Sequence, residues 1–328
     1  MSPEVDSKER VGQARRLERP VWFDWRRDII FVGFAVTFGA FALLLGNEGF
    51  LNSQNLLNIL RQSSIILVIA VGMTFVIANA EIDLSVGSIA GLTSVATAMG
   101  VAAFGLVPGI LIGLATGAAV GAINGALVAF AGIPSFLVTL AMMGVAAGFA
   151  QWITSSAPIP IVNETFTGIF GSGNVGVMPG LVLWSVLTVA IGTVVLKRTR
   201  FGRRVLATGS NRTAAEYSGI NTKSIKFRVM VISAMAATLA GMLYAGRLQS
   251  GRFQWGDGDE LTAIAAVILG GTALAGGRGS VVRTMFGALL MGLINNGLIL
   301  AGLDSSQQQI IRGIIIILAV ALARGRKD

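Results

Sequence analysis

Residues 62–104 read QSSIILVIAVGMTFVIANA, EIDLS, VGSIAGLTSVATAMGVAAF: two long apolar runs parted by a short polar insert. Each run is close to the roughly 20 residues that a helix needs to cross the hydrocarbon core of a bilayer. Applying the same ruler outward gives apolar spans at 29–46, 62–80, 86–104, 108–130, 136–154, 179–196, 229–247, 261–276, 284–303 and 309–323. This predicts an all-α polytopic membrane protein of about ten transmembrane helices. A basic tail over 1–28 precedes a transmembrane domain over 29–328, and a polar loop over 197–228 interrupts that domain. The polar head has no apolar core of its own, so it does not read as a cleavable signal peptide.

Composition agrees with this reading. Of 328 residues, 54% are hydrophobic and 12% charged, about half the charge of an average soluble domain. The absence of Cys and His removes disulfide frameworks, thiolate nucleophiles, Cys/His zinc sites and His-based acid–base chemistry. The net charge of +9 does not mark a nucleic-acid face, because the basic residues sit in short segments between apolar runs. With ten spans, all of the 25 basic side chains except Arg61, Arg247, Arg252 and Arg312 fall on one side. The positive-inside rule places that side, with both termini and the 197–228 loop, in the cytoplasm.

The fourth span carries Gly113, Gly117, Gly121 and Gly125. A spacing of four puts them on one helix face, where small residues let backbones approach closely in lipid. Residues 121–133, GAINGALVAFAGI, are echoed at 292–303, GLINNGLILAGL. The echo joins spans four and nine, which cross in opposite directions, as an inverted five-plus-five repeat requires.

Polar side chains at lipid depth are the candidate pathway residues. Asn79 closes the first apolar run, Glu81, Asp83 and Ser85 lie in the insert, and Asn124, Asn295 and Asn296 lie within later spans. Two roles fit the insert: Asp83 and Ser85 cap the third helix, or a broken helix lines a solute path. For the three Asn residues, interhelical hydrogen bonds compete with solute contact. Residues 247–260 mix charges with Trp255, which suits either an outer surface that docks a soluble protein or a plain solvated loop.

Within the 197–228 loop, Gly209–Ile220 reads as a short helix capped by Asn211 or Thr213 and stopped by Gly219. No Gly-Lys dipeptide occurs anywhere, so the chain has no phosphate-binding P-loop. Gly270 to Ser280 is instead a tight turn between spans.

Several of these segments together resemble the ribose/xylose-type ABC importer permeases. They are Gly72–Ile77, Ile82–Ser88, Ile133–Leu140, Asn211–Gly219, and Ile264–Thr272 with Gly276 and Gly277, in collinear order from about residue 56 onward. The resemblance implies a permease that works as a pair, commonly a homodimer. It implies a separate cytoplasmic ATPase that binds ATP and magnesium, so that this chain needs no cofactor and is not itself an enzyme. It also implies a periplasmic binding protein that delivers a monosaccharide, in the bacterial inner membrane. By the same likeness Asn211, Arg212, Ala214, Ala215, Glu216 and Gly219 belong to a coupling helix that docks on the ATPase. The segment Ile82–Ser88 lies near the pathway. One departure is Glu81, where many relatives carry Gly. The expected function is import of a monosaccharide, a pentose such as ribose first. A nucleoside or furanose-like cargo and a stand-alone ion-coupled carrier using Glu81 or Asp83 stand as alternatives.

Overall fold

The computed structural model describes residues 25–324. The expected basic tail lies outside these residues apart from 25–28. The described chain is helical almost throughout: α1 (Trp25–Leu44), α2 (Ser53–Ala78), α3 (Val86–Phe104), α4 (Leu106–Ala129), α5 (Ser135–Ile153), α6 (Glu164–Thr167), α7 (Gly180–Arg198), α8 (Arg200–Ser210), α9 (Arg212–Tyr217), α10 (Thr222–Arg247), α11 (Asp259–Leu269), α12 (Val281–Leu300) and α13 (Ser305–Arg324). Four two-residue strands form two small antiparallel pairs. Strand β1 (Ile159–Pro160) pairs with β4 (Ser250–Gly251), and β2 (Asn174–Val175) with β3 (Met178–Pro179).

Seven helices among the described residues, α2, α3, α4, α5, α7, α10 and α12, are long and apolar enough to cross a membrane. The expected spans at 29–46, 261–276 and 309–323 fall on α1, α11 and α13; α1 and α13 are 20 residues long, and both lie partly at the edges of the described residues. Of the three, α11 is short, with 11 residues. At about 1.5 Å per residue, α11 extends roughly 16 Å, about half of a hydrocarbon core.

The helices sort by depth in the bundle. Helix α2 buries 78% of its apolar stretch and α10 67%, against 22% for α5 and 28% for α4. With 72% of its apolar stretch buried, α3 joins α2 and α10 at the centre, and α4 and α12 pack on them. The outer faces of α4, α5 and α7 expose Leu111, Leu137, Ile191 and similar side chains. Apolar surface of that extent belongs against lipid or another subunit rather than water.

The glycine face of α4 meets α10. A Cβ on Gly117 would stand 1.7 Å from Thr238 Oγ1, and one on Gly121 2.6 Å from Ala234 Cβ. The stripe is thus spent on packing inside the chain, which is what brings the two helix axes together. Helix α1 is held by rings: Phe31 meets Phe286 of α12 edge-on at 4.6 Å, and Phe38 and Phe41 close on the fully buried Phe50. Such edge and tilted geometries let the positive ring edge face a negative ring face.

Candidate functional site: the break between α2 and α3

Helix α2 stops at Ala78 and α3 starts at Val86, and the seven residues between are not helical. The stop is a tight reversal. The Asn79 and Ala80 N–H groups donate to Phe75, Val76 and Ile77 carbonyls, and the Glu81 N–H returns to Val76 O at 3.0 Å. The reversal puts Ala80 in the left-handed region at φ 61°, a conformation that glycine adopts without strain and alanine does not.

From there the chain is irregular up to Ser85, and two of its backbone donors are met from α5. Ile82 N–H donates to Ser135 Oγ at 3.1 Å, and Leu84 N–H to Thr139 Oγ1 at 3.0 Å. Buried backbone donors must find partners. Two hydroxyls four residues apart on one helix face supply them at Ile82 and Leu84.

Asp83 is fully buried. Its Oδ1 accepts the Ser85 N–H at 3.0 Å and the Ser85 hydroxyl at 2.6 Å. Asn124 of α4 then donates to Ser85 Oγ at 3.0 Å. Asp83 therefore fixes the N-cap residue Ser85, while α3 carries no side-chain cap bond to its first turn, because the Ser85 hydroxyl is turned to the carboxylate. Asp83 Oδ2 and the Ser233 hydroxyl of α10 are buried without a hydrogen-bond partner, although the two groups lie close enough to interact. Ser233 stands near the middle of α10, so the cap lies deep in the bundle rather than at its rim. Asn79 is buried with neither side-chain atom bonded. Glu81 forms an ion pair with Lys226 near the start of α10.

The pathway candidates thus divide. Asn79, Glu81, Asp83, Ser85 and Asn124 gather at the break. Asn296 does not, since it exchanges two amide hydrogen bonds with Asn55 at the opposite end of α2, at 2.8 and 3.1 Å. Its geometry is that of an interhelical tie. Asn295 lies beside it with its Oδ1 unpartnered. Lys226, Ser135 and Thr139 are parts of the site that sequence reasoning did not assign. The last two lie within Ile133–Leu140.

The 197–228 loop contains two helices where one was expected. Gly209 and Ser210 end the amphipathic α8, and α9 begins only at Arg212. Asn211 caps α9 by accepting the Ala214 N–H at 3.0 Å, and Gly219, at φ 78°, ends it. Ala215 is the buried residue of α9, while Arg212, Glu216 and Tyr217 face out, Tyr217 with 90% of its surface free. Glu216 accepts from Arg212 Nε at 2.9 Å and from the Thr222 hydroxyl at 2.6 Å. First the Thr222 bond and then Arg212 hold its carboxyl below the ordinary value of 4.5.

The stretch 247–260 is not a plain solvated loop. Gly251 lies against Ser94 and Ala98, and Gly256 against Gly87, so the segment runs along α3 from its outer half to its first turn. Ser94 Oγ donates to Arg252 O at 3.0 Å, Trp255 Nε1 to Ser250 O at 2.8 Å, and the Tyr244 hydroxyl to Asp259 Oδ2 at 2.7 Å. Coil with its polar groups satisfied by protein is the form irregular backbone takes at depth.

Comparison with known proteins adds the family. A family profile described as branched-chain amino acid transport system / permease component matches residues 55–320. The ribose import permease protein RbsC of Bacillus subtilis (strain 168) is 43% identical over 281 residues, 85% of this chain and 87% of the relative. RbsC of Escherichia coli (strain K12) is 42% identical over 283 residues, 84% and 87% of the two chains. The D-allose transport system permease protein AlsC of the same organism is 35% identical over 286 residues, 85% and 86%. No solved structure matches.

Proposed function

The chain belongs to the ABC-importer permease family that includes the ribose import permeases, and from that premise we propose that it is the membrane-spanning subunit of a monosaccharide importer. A pentose such as ribose is the first cargo. The observation that carries this is the identity of about two residues in five with ribose permeases across most of both chains. The profile's own description names branched-chain amino acids. The sugar relatives decide between the two cargo classes because they match the chain over nearly its whole described length.

In this reading the protein lies in the bacterial inner membrane with ten crossings and both termini in the cytoplasm. The short α11 and the packed coil before it together make one crossing. The inverted echo of α4 and α12 relates two five-span halves. The 197–228 loop faces the cytoplasm, and the residues after 28 form one permease domain. A second copy completes the pathway, with lipid around the pair and no nucleic acid as a partner. A separate ATPase holds ATP and magnesium and docks on α9, which presents Arg212, Glu216 and Tyr217 outward on a braced helix. A periplasmic protein delivers the sugar and supplies the selectivity. Alternating access then needs the bundle only to open to each side in turn, without a tight sugar site of its own. An ion-coupled carrier is less well supported, because Glu81 is already paired with Lys226.

The test is reconstitution with its cognate ATPase and binding protein. Uptake should depend on ATP and on the binding protein, and Glu216→Arg should abolish ATPase docking. Uptake by this chain alone, driven by a proton gradient, would sink the proposal. A binding protein that prefers a nucleoside over ribose would move the cargo to that class.

A further inference from the structure

The segments on either side of α9 both end on the same few residues of the helix break. On the upstream side, the last turn of α8 touches the end of α2 backbone to backbone. A Cβ on Gly209 would stand 2.0 Å from Ala78 O and 2.9 Å from Asn79 Cα. The loop before α12 closes the same joint. Gly277 N–H donates to Ala78 O at 2.9 Å, while a Cβ on Gly276 would stand 2.6 Å from Gly209 O and 2.9 Å from Ala80 N. On the downstream side, Glu216 of α9 is bonded to Thr222 at the start of α10, and one turn later Lys226 pairs with Glu81.

Contacts of this kind do not bend. Backbone against backbone without intervening side chains leaves no soft rotamer to absorb a shift. A mostly buried ion pair resists separation, because either charge left alone is costly. The break is the opposite: a non-helical stretch held at its far end by two hydroxyls of α5 and by the Asp83–Ser85 bonds.

We infer that the break at Asn79–Ser85 is the receiver of motion from α9, and that Glu81, Lys226, Gly209 and Gly277 are the positioning residues that deliver it. Displacement of α9 by a partner moves both of its flanks. Both flanks are fastened to Ala78–Glu81, so the break shifts against α5. This rests on α9 being the ATPase-docking helix, as proposed above.

The experiment uses the full complex in proteoliposomes, with ATPase copurification, ATP hydrolysis and sugar uptake per ATP measured together. Glu81→Gln and Lys226→Gln should keep the ATPase bound and hydrolysing, while uptake per ATP falls by roughly tenfold, within what relay contacts carry. The swap Glu81→Lys with Lys226→Glu should recover at least half of the lost coupling. Gly209→Ala should uncouple in the same way, and the ion-pair variants decide the matter if it fails to fold. Parent-like uptake per ATP in both single variants, or no recovery in the swap, would overturn the inference while leaving the docking role of α9 intact. An ATPase that does not bind even the parent chain, or that binds Glu216→Arg as well as it binds the parent, would overturn the docking role and this inference with it.

Discussion

Ser85 gives both its backbone N–H and its hydroxyl hydrogen to a single oxygen of Asp83, at 3.0 and 2.6 Å, in a part of the bundle that water does not reach. The carboxylate thereby fixes the residue that precedes α3, and Asn124 completes the chain of bonds from α4.

Asp83→Ala removes the acceptor and strands two buried donors, each costing about 1–3 kcal/mol. The variant should express poorly in the membrane and show a thermal midpoint in detergent well below the parent's. Asp83→Asn keeps an oxygen where the two Ser85 donors point, so it should assemble with most of the parental stability. Its uptake in proteoliposomes then reports what the negative charge adds. An Ala variant as stable as the parent would show that the carboxylate is dispensable.

Gly117→Val should separate α4 from α10. The new Cβ would fall 1.7 Å from Thr238 Oγ1, and over-packing of this kind costs about 1–3 kcal/mol. Size-exclusion profiles and melting curves in detergent would show it. The same change at Gly144, where nothing lies within 4 Å in the chain, should leave the monomer's packing untouched.

Ala80→Gly should stabilise the protein. Alanine at φ 61° carries a left-handed penalty of about 1–2 kcal/mol. Part of that is offset by the greater freedom of glycine in the unfolded chain, leaving a gain of about 0.5–1 kcal/mol. A lower melting temperature in the glycine variant would mean that the Ala80 methyl contributes packing that outweighs its strain.

Acid should loosen α9 through Glu216. Its carboxyl titrates below the ordinary 4.5 in the folded protein. The stabilisation is therefore fully present above that ordinary value and is lost as pH falls through the lower, folded-state value. Amide protection of residues 212–219, corrected for intrinsic exchange, should hold from neutral pH to about pH 5 and decline only in stronger acid. Glu216→Gln should remove that acid step. A decline already complete at pH 5 would place the cause elsewhere.

Much of this was legible from the residues in order. Apolar runs of helix-spanning length mark the bundle, the insert at 81–85 marks the break, and the glycines of α4 mark a face that meets another helix. Asn211 and Gly219 bracket α9 through local bonds that span only a few positions. What stayed hidden was pairing between distant segments. Nothing near Glu81 points to Lys226, and nothing near Asn296 points to Asn55 rather than to a solute. The joint of Gly209 with Ala78 and Gly277 is backbone contact, which leaves no mark except glycine itself, in a chain with 43 of them. The coil over 250–258 was missed for a related reason: hydropathy rulers detect helices, and this stretch is satisfied by α3 instead.

The pairing of Glu81 with Lys226 also bears on how the two positions can vary through descent. A lineage that carries glycine at the first position has no partner for a cation at the second, and a stranded ammonium in that setting is selected against. The two sites should therefore change together among relatives, acid with base or neutral with neutral. A broad set of sequences in which lysine at the second site is as common beside glycine as beside glutamate would show that the bond is incidental to the lineage.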